Sequence, residues 1–309
     1  MDVMFSASLE MGTIFLIQTG IGLMGNISLI CLYNFTLLTG HSLRPIDPIL
    51  MQLVIANATV LFSKGIPQTL AAFGWRYFLD DTGCKLVFYF HRVGTGVSFS
   101  TICLFNGFQA IKLKPSIWRW MERQMRALRF IAFCCFLCWV VHILINSCVI
   151  MVVKGPLKEK NFSMRNNYGY CSWHMIEGSV GALYTVTYFS LDITSLGFMV
   201  WASSTIVLFL CRHKQRLQHI CSNRLSPRTH VVRATGTVLI LVSAFVTFYT
   251  IYIVLIIWLT LVATRGQWMV NTSVLLATSF PAFSPFVLII KDTRISQFRF
   301  TCRARKTVC

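Results

Sequence analysis

Acidic side chains are scarce in this sequence. Asp and Glu number only 10 in 309 residues, against 28 Lys and Arg, and all charged residues together reach 12%. A soluble chain carries about a quarter charged residues, so a water-soluble globular protein is excluded. Catalytic signatures are missing too. There is no Gly-rich phosphate loop, no His-Glu-x-x-His and no pair of aspartates within an apolar stretch. Phosphoryl transfer, zinc-dependent hydrolysis and intramembrane aspartyl chemistry therefore lack their residues. The reading is of a protein that is not an enzyme and needs no cofactor. Internal repeats, low-complexity segments and a separate soluble domain are likewise missing.

What the chain does have is apolar length. Mean hydropathy is +0.65 and 55% of residues are apolar. Seven stretches are long enough to cross a hydrocarbon core of about 30 Å, which needs roughly 20 residues. They run Thr13–Phe35, Ile49–Phe73, Cys84–Ile111, Leu128–Val153, Gly178–Leu210, Ala234–Val262 and Val270–Ile290, followed by a basic tail over 291–309. The fold class read from this is an all-α membrane protein, a single seven-helix bundle. Pro67 in span two and Pro281 and Pro285 in span seven predict kinks, because proline removes a backbone donor.

The formal net charge of +18 does not point to nucleic acid, because the basic residues gather between spans. The connections after spans three and five and the tail are strongly basic; the connections on the other side are not. Positive charge favours the cytoplasmic side, so the C-terminus is inside and the N-terminus, after an odd number of spans, outside. The first span reads as an uncleaved anchor. The basic inner loops also suit anionic membrane lipid. In the tail, Ile295, Phe298 and Cys302 form a narrow apolar stripe that suits the headgroup region, with Cys302 a candidate for palmitoylation.

Of the twelve cysteines, only Cys84 and Cys171 face outside. In an oxidising compartment that pair reads as a disulfide folding the long outer loop over the bundle mouth. Cys211, His213, His219 and Cys221 match no zinc-site spacing and lie in a cationic loop. Sequons occur at Asn26, Asn34, Asn57, Asn161 and Asn271. The first and third lie inside spans, Asn34 faces inward and Asn271 sits at the membrane edge. Asn161, in the long outer loop, is the glycan acceptor.

Ionisable side chains inside spans are expensive, at about 2.5–3.5 kcal/mol each on insertion scales, and mark functional sites. Here they are Lys64, His91, Arg92, His142 and Asp192. At 1.5 Å per residue, Arg92 lies about 12 Å below Cys84, Lys64 about 14 Å below Phe73 and Asp192 about 20 Å below Gly178. Such depths suit a pocket open to the outside, and His91, Arg92, Lys64 and Asp192 are its candidate ligand-binding residues. His91 shares a helix face with Thr95 and Ser98, a polar stripe fitting a cavity rather than lipid. Arg92 needs a partner such as Asp192 or Glu177. His142 is read as satisfied within the bundle.

Local strings resemble a known family. These are His41-Ser42-Leu43-Arg44-Pro45-Ile46-Asp47, Leu53-Val54-Ile55-Ala56-Asn57, Ser100-Thr101-Ile102-Cys103-Leu104, Ala234-Thr235-Gly236-Thr237 and Phe280-Pro281-Ala282-Phe283-Ser284-Pro285. With seven spans and the Cys84–Cys171 tether, the chain resembles the vomeronasal type-1 receptors, G-protein-coupled receptors for pheromones. It departs from the broader rhodopsin-like pattern where that family does. Phe108-Gln109-Ala110 replaces Asp-Arg-Tyr, Asn57 replaces a sodium-binding aspartate, Ser284-Pro285 replaces Asn-Pro, and span six has no proline.

The resemblance implies a small chemosensory ligand, and a heterotrimeric G protein of the Gi/Go type docking where Phe108, Gln109 and Ala110 end span three. Bitter taste receptors are the alternative within the class; the long Cys171 loop and Phe108-Gln109-Ala110 favour the vomeronasal reading. A seven-span transporter would show repeats and broken helices, and a retinal pump needs a lysine deep in span seven. The glycan assignment is directly testable. Asn161→Gln should abolish the glycosidase-sensitive gel shift, and a persisting shift would overturn either the topology or the choice of sequon.

Overall fold

The computed structural model describes residues 2–39, 46–75, 78–112, 127–155, 170–173, 228–261 and 267–291, with scattered helical positions between 190 and 208. Its elements in chain order are α1 (Asp2–Leu38), α2 (Asp47–Val60), a π-helical turn (Leu61–Gly65), α3 (Ile66–Ala72) and α4 (Asp81–Lys112). There follow α5 (Ala127–Ile145), a 3-10 turn (Asn146–Cys148), α6 (Val149–Val152), β1 (Val153–Lys154), β2 (Ser172–Trp173), α7 (Arg228–Leu261) and α8 (Gln267–Lys291). Span five and the tail lie largely outside the described residues.

Five helical stretches among the described residues are long and apolar enough to cross a membrane: Leu9–Leu38, Asp47–Ala72, Arg129–Met151, Ile240–Trp258 and Trp268–Ile290. The third expected span, α4, has 32 residues but is more polar. It packs against α2, α5 and α7, so helices rather than lipid meet many of its polar positions. In contrast, α5 turns Phe130, Phe133, Phe136 and Leu144 outward, as a lipid-facing helix should.

Lipid gives helices no hydrophobic reason to associate, so close packing and hydrogen bonds hold the bundle. One tight joint is α1 against α8. A Cβ on Gly22 would lie 2.8 Å from the Ala282 backbone, and one on Gly25 would lie 2.9 Å from Pro285. Only glycine permits this approach. It brings Asn26 Nδ2 within 2.9 Å of the Pro281 carbonyl. That carbonyl is the one Pro285 leaves without its i+4 donor, and the Asn26 amide supplies the missing hydrogen. A turn or two toward the outer end, Gln18 Nε2 donates to the Leu275 carbonyl and to Ser279 Oγ, both at 3.1 Å.

Two spans depart locally from a regular helix. The second span does not simply kink at Pro67. Its backbone widens into the π-helical turn Leu61–Gly65, and Pro67 then sits at the start of α3, where its missing N–H costs little. The fourth span loses its helix at Val153, which pairs as a strand residue with Trp173. Next to that pair, Cys171 is joined to Cys84 with 5.7 Å between Cα atoms, inside the usual range. The bond ties the outer loop to the start of α4. Asp81 reinforces the tie, accepting from the Gly155 N–H at 2.8 Å and pairing with Lys85 at 2.5 Å.

At the other end of the bundle, α2, α4, α7 and α8 share an aromatic and aliphatic core built on Leu53, Ile102, Phe105, Phe108, Leu241 and Phe245. Across α2 and α5, Trp139 Nε1 donates to Gln52 Oε1 at 2.6 Å. The Asn26 joint yields a prediction. Asn26→Leu removes the donor to the Pro281 carbonyl and should cost about 1–2 kcal/mol. It should be read as a lower Tm of purified receptor and a lower surface level; an unchanged Tm would overturn the assignment.

Candidate ligand cavity and polar core

One residue joins three helices at the centre of the bundle. Asn57 of α2 donates from Nδ2 to Ser284 Oγ of α8 at 2.7 Å, and its Oδ1 accepts from Ser98 Oγ of α4 at 2.8 Å. All three side chains are buried. A neutral amide both donates and accepts, so the link is complete without an ion. A carboxylate at this position would only accept.

Directly outward lies a cavity of about 20 Å³, room for roughly one water molecule. Val60 of α2 and Thr95 and Ser98 of α4 form one wall. Phe245, Phe248 and Tyr249 of α7 form another, and Leu276, Ala277, Phe280 and Pro281 of α8 close it. The aromatic side is tightly built: Phe245 stands edge-on to Phe280 at 4.8 Å and stacks on Tyr249 at 5.2 Å between centroids. Phe99 of α4 meets Phe245 at 6.0 Å.

The expected polar stripe of α4 therefore divides. Thr95 and Ser98 line the cavity, whereas His91, also buried, is not among its lining residues. His91 Nδ1 has no hydrogen-bond partner among the described residues. Lys64 does not snorkel to the surface. The π-helical turn carries it inward, where it is 4% exposed and its Nζ lies 4.2 Å from the Phe88 ring centroid and 5.9 Å from that of Tyr170. Tyr170 is the neighbour of Cys171, so Lys64 links α2 to the tethered outer loop. Arg92 is partly buried beside His91 on α4. Lys64, His91 and Arg92 thus surround the region outward of the cavity rather than the cavity itself.

Asp192, Glu177 and Asn161 lie outside the described residues, as does the expected pairing of Arg92 with Asp192. Phe108 is buried in the inner core; the side chains of Gln109 and Ala110 are not described. His142 behaves as a packing residue. Its ring fills the space above Gly96, and its Nε2 lies 2.8 Å from Ser100 Oγ. The spare sequons have structural uses. Asn26 and Asn57 are the buried amides already described, and Asn271 Oδ1 accepts from Gln68 Nε2 at 3.1 Å. Sequence reasoning missed the α7 aromatics, which look like any lipid-facing run, and Asn106. The amide of Asn106 is 1% exposed and has no partner among the described residues; its only signal was a lone amide in an apolar run.

Comparison with known proteins agrees with this architecture. The vomeronasal organ pheromone receptor family matches residues 9–301. Vomeronasal type-1 receptor 1 of Gorilla gorilla gorilla is 60% identical over 308 residues, covering 99% of this chain and 87% of that protein. The Homo sapiens receptor of the same name is 59% identical with the same coverage. A more distant relative, Olfactory receptor class A-like protein 1 of Danio rerio, is 28% identical over 297 residues, covering 94% of this chain and 92% of that protein.

The fit of His142 over Gly96 can be tested by a pair of variants. Gly96→Val puts a side chain into the imidazole, so it should lower surface level several-fold. His142→Ala added to it should restore part of the loss, since overpacking is relieved when the partner shrinks. Equal loss in the single and double variants would refute the contact.

Proposed function

The chain belongs to the vomeronasal organ pheromone receptor family, and on that premise we propose that it binds a small chemosensory ligand in the outer half of the bundle and activates a heterotrimeric G protein at the inner end. The family is one of multi-pass membrane receptors, not of enzymes, and the bitter-taste and transporter alternatives give way to it.

The observation that carries the proposal is the cavity between α2, α4, α7 and α8, which adjoins the Asn57–Ser98–Ser284 link. A ligand entering from the outer side meets aromatic walls on α7 and α8 and hydroxyls on α4. Any shift of these walls acts on Ser98 and so on the link joining three helices. The physics required is a difference in ligand affinity between two arrangements of the bundle. Pro281 and Pro285 make α8 the helix with weakened internal hydrogen bonding, and hence the one whose bending costs least. Lys64, His91 and Arg92 belong to this proposal as ligand-binding residues of the outer approach, and Asp192 as a further ligand-binding residue.

At the inner end, Phe108, Gln109 and Ala110 take the positions at which rhodopsin-like receptors carry a charged lock. Without an arginine there, the inner closure rests on packing such as that of Phe108 in the core. Coupling through a Gi/Go-type protein is the proposed output, and the basic inner loops also face membrane lipid. Gln109→Trp should cut ligand-driven signalling at least several-fold with surface level unchanged, and pertussis toxin should abolish the signal in cells expressing only Gi/Go partners. Normal signalling from Gln109→Trp would move the docking site elsewhere.

A further inference from the structure

Besides the Tyr249 phenol, three polar groups of α4 and α8 line the cavity. Thr95 Oγ1 donates its hydrogen to the His91 carbonyl at 2.8 Å. Ser98 Oγ donates its hydrogen to Asn57 Oδ1 at 2.8 Å. A hydroxyl has one hydrogen, so toward the cavity both oxygens offer lone pairs alone. The third group is backbone. Pro281 has no N–H, so the Ala277 carbonyl lacks its i+4 donor. That carbonyl points along the axis toward residue 281, and both Ala277 and Pro281 line the cavity. The sister carbonyl at Pro281 is satisfied by Asn26. No side chain among the described residues donates to the Ala277 carbonyl.

Three acceptors around a space the size of one water demand a donor, since an unsatisfied carbonyl at this depth is costly. Two chemical classes bring one. An ammonium group would suit the acceptors and the rings, but no carboxylate is among the described residues that line the cavity, and Lys64, His91 and Arg92 lie outward of it. An uncharged hydroxyl avoids burying a charge. Resting on the receptor reading above, we propose that the cavity is a hydroxyl-recognition subsite. The freed Ala277 carbonyl, with Thr95 Oγ1 and Ser98 Oγ beside it, accepts a hydrogen bond from the alcohol group of an uncharged ligand whose apolar body lies against Phe245, Tyr249 and Phe280. Water takes the same position in the ligand-free receptor.

The test uses the full chain in cells with a co-expressed promiscuous G protein and a calcium readout. The probes are matched pairs: 2-phenylethanol, cyclohexanol and 1-octanol, each against its methyl ether, which keeps the oxygen and loses the donor. The wild-type receptor should respond to at least one alcohol at about tenfold lower concentration than to its ether, the worth of one hydrogen bond. Pro281→Ala restores an N–H to the Ala277 carbonyl and should shrink that gap. Thr95→Val keeps shape and removes an acceptor, so it should also shrink the gap and carries the test should Pro281→Ala not reach the surface. The proposal is overturned by an ether as potent as its alcohol, by an unchanged gap in Thr95→Val, or by silence toward all three alcohols. Activation by compounds lacking a donor would sink the subsite while leaving the receptor reading intact. A surface-expressed chain that no compound of any class activates would count against both.

Discussion

The bundle depends on where the carbonyls freed by proline find their donors. In water a solvent molecule would serve; in the hydrocarbon core another part of the protein must. Pro285 frees the Pro281 carbonyl, and Asn26 of α1 supplies the hydrogen. That contact needs α1 and α8 very close, which is why Gly22 and Gly25 face Ala282 and Pro285. With α8 anchored to α1 at this level, Ser284 stands opposite Asn57, and Asn57 in turn holds Ser98 of α4. One proline thus specifies a chain of contacts through four helices. The other, Pro281, frees a carbonyl beside the cavity that Asn26 does not reach.

Two ends of the molecule are held by different means. Outward, the Cys84–Cys171 bond, the strand pair and the Asp81 contacts fasten a loop across the mouth, and Lys64 faces the Phe88 and Tyr170 rings beneath it. Inward, Phe105, Phe108, Leu241 and Phe245 pack together. Packing contacts are short-ranged and individually weak. The neutral Asn57 link follows the same pattern, replacing an ionic centre with matched hydrogen bonds.

Much of the candidate site was legible in the residues. The Thr95–Ser98 stripe signalled a cavity because polar groups do not face lipid, and both line it. Lys64, His91 and Arg92 stood out by cost, and they are gathered in the outer half, but around the approach rather than in the cavity walls. Their arrangement depends on α2 giving way to a wider turn. The π-helical turn at Leu61–Gly65 rotates Lys64 inward against Phe88, and nothing in hydropathy signals a wide turn. Phe245, Phe248 and Tyr249 were invisible for the opposite reason, since an aromatic ring is equally at home against lipid or lining a ligand cavity.

By itself the sequence determined the class of the molecule. Span lengths answer to bilayer thickness, orientation answers to the distribution of Lys and Arg, and the disulfide answers to which cysteines lie outside. All three are one-dimensional properties that a chain carries before it folds. Tertiary structure alone decided which oxygen meets which donor. Whether Asn26 is a glycan site, a lipid-facing oddity or the partner of a proline-freed carbonyl depends on a neighbour 255 residues away. The same holds for the hydrogens of Thr95 and Ser98, because a hydroxyl becomes a donor or an acceptor only once its single hydrogen has a direction.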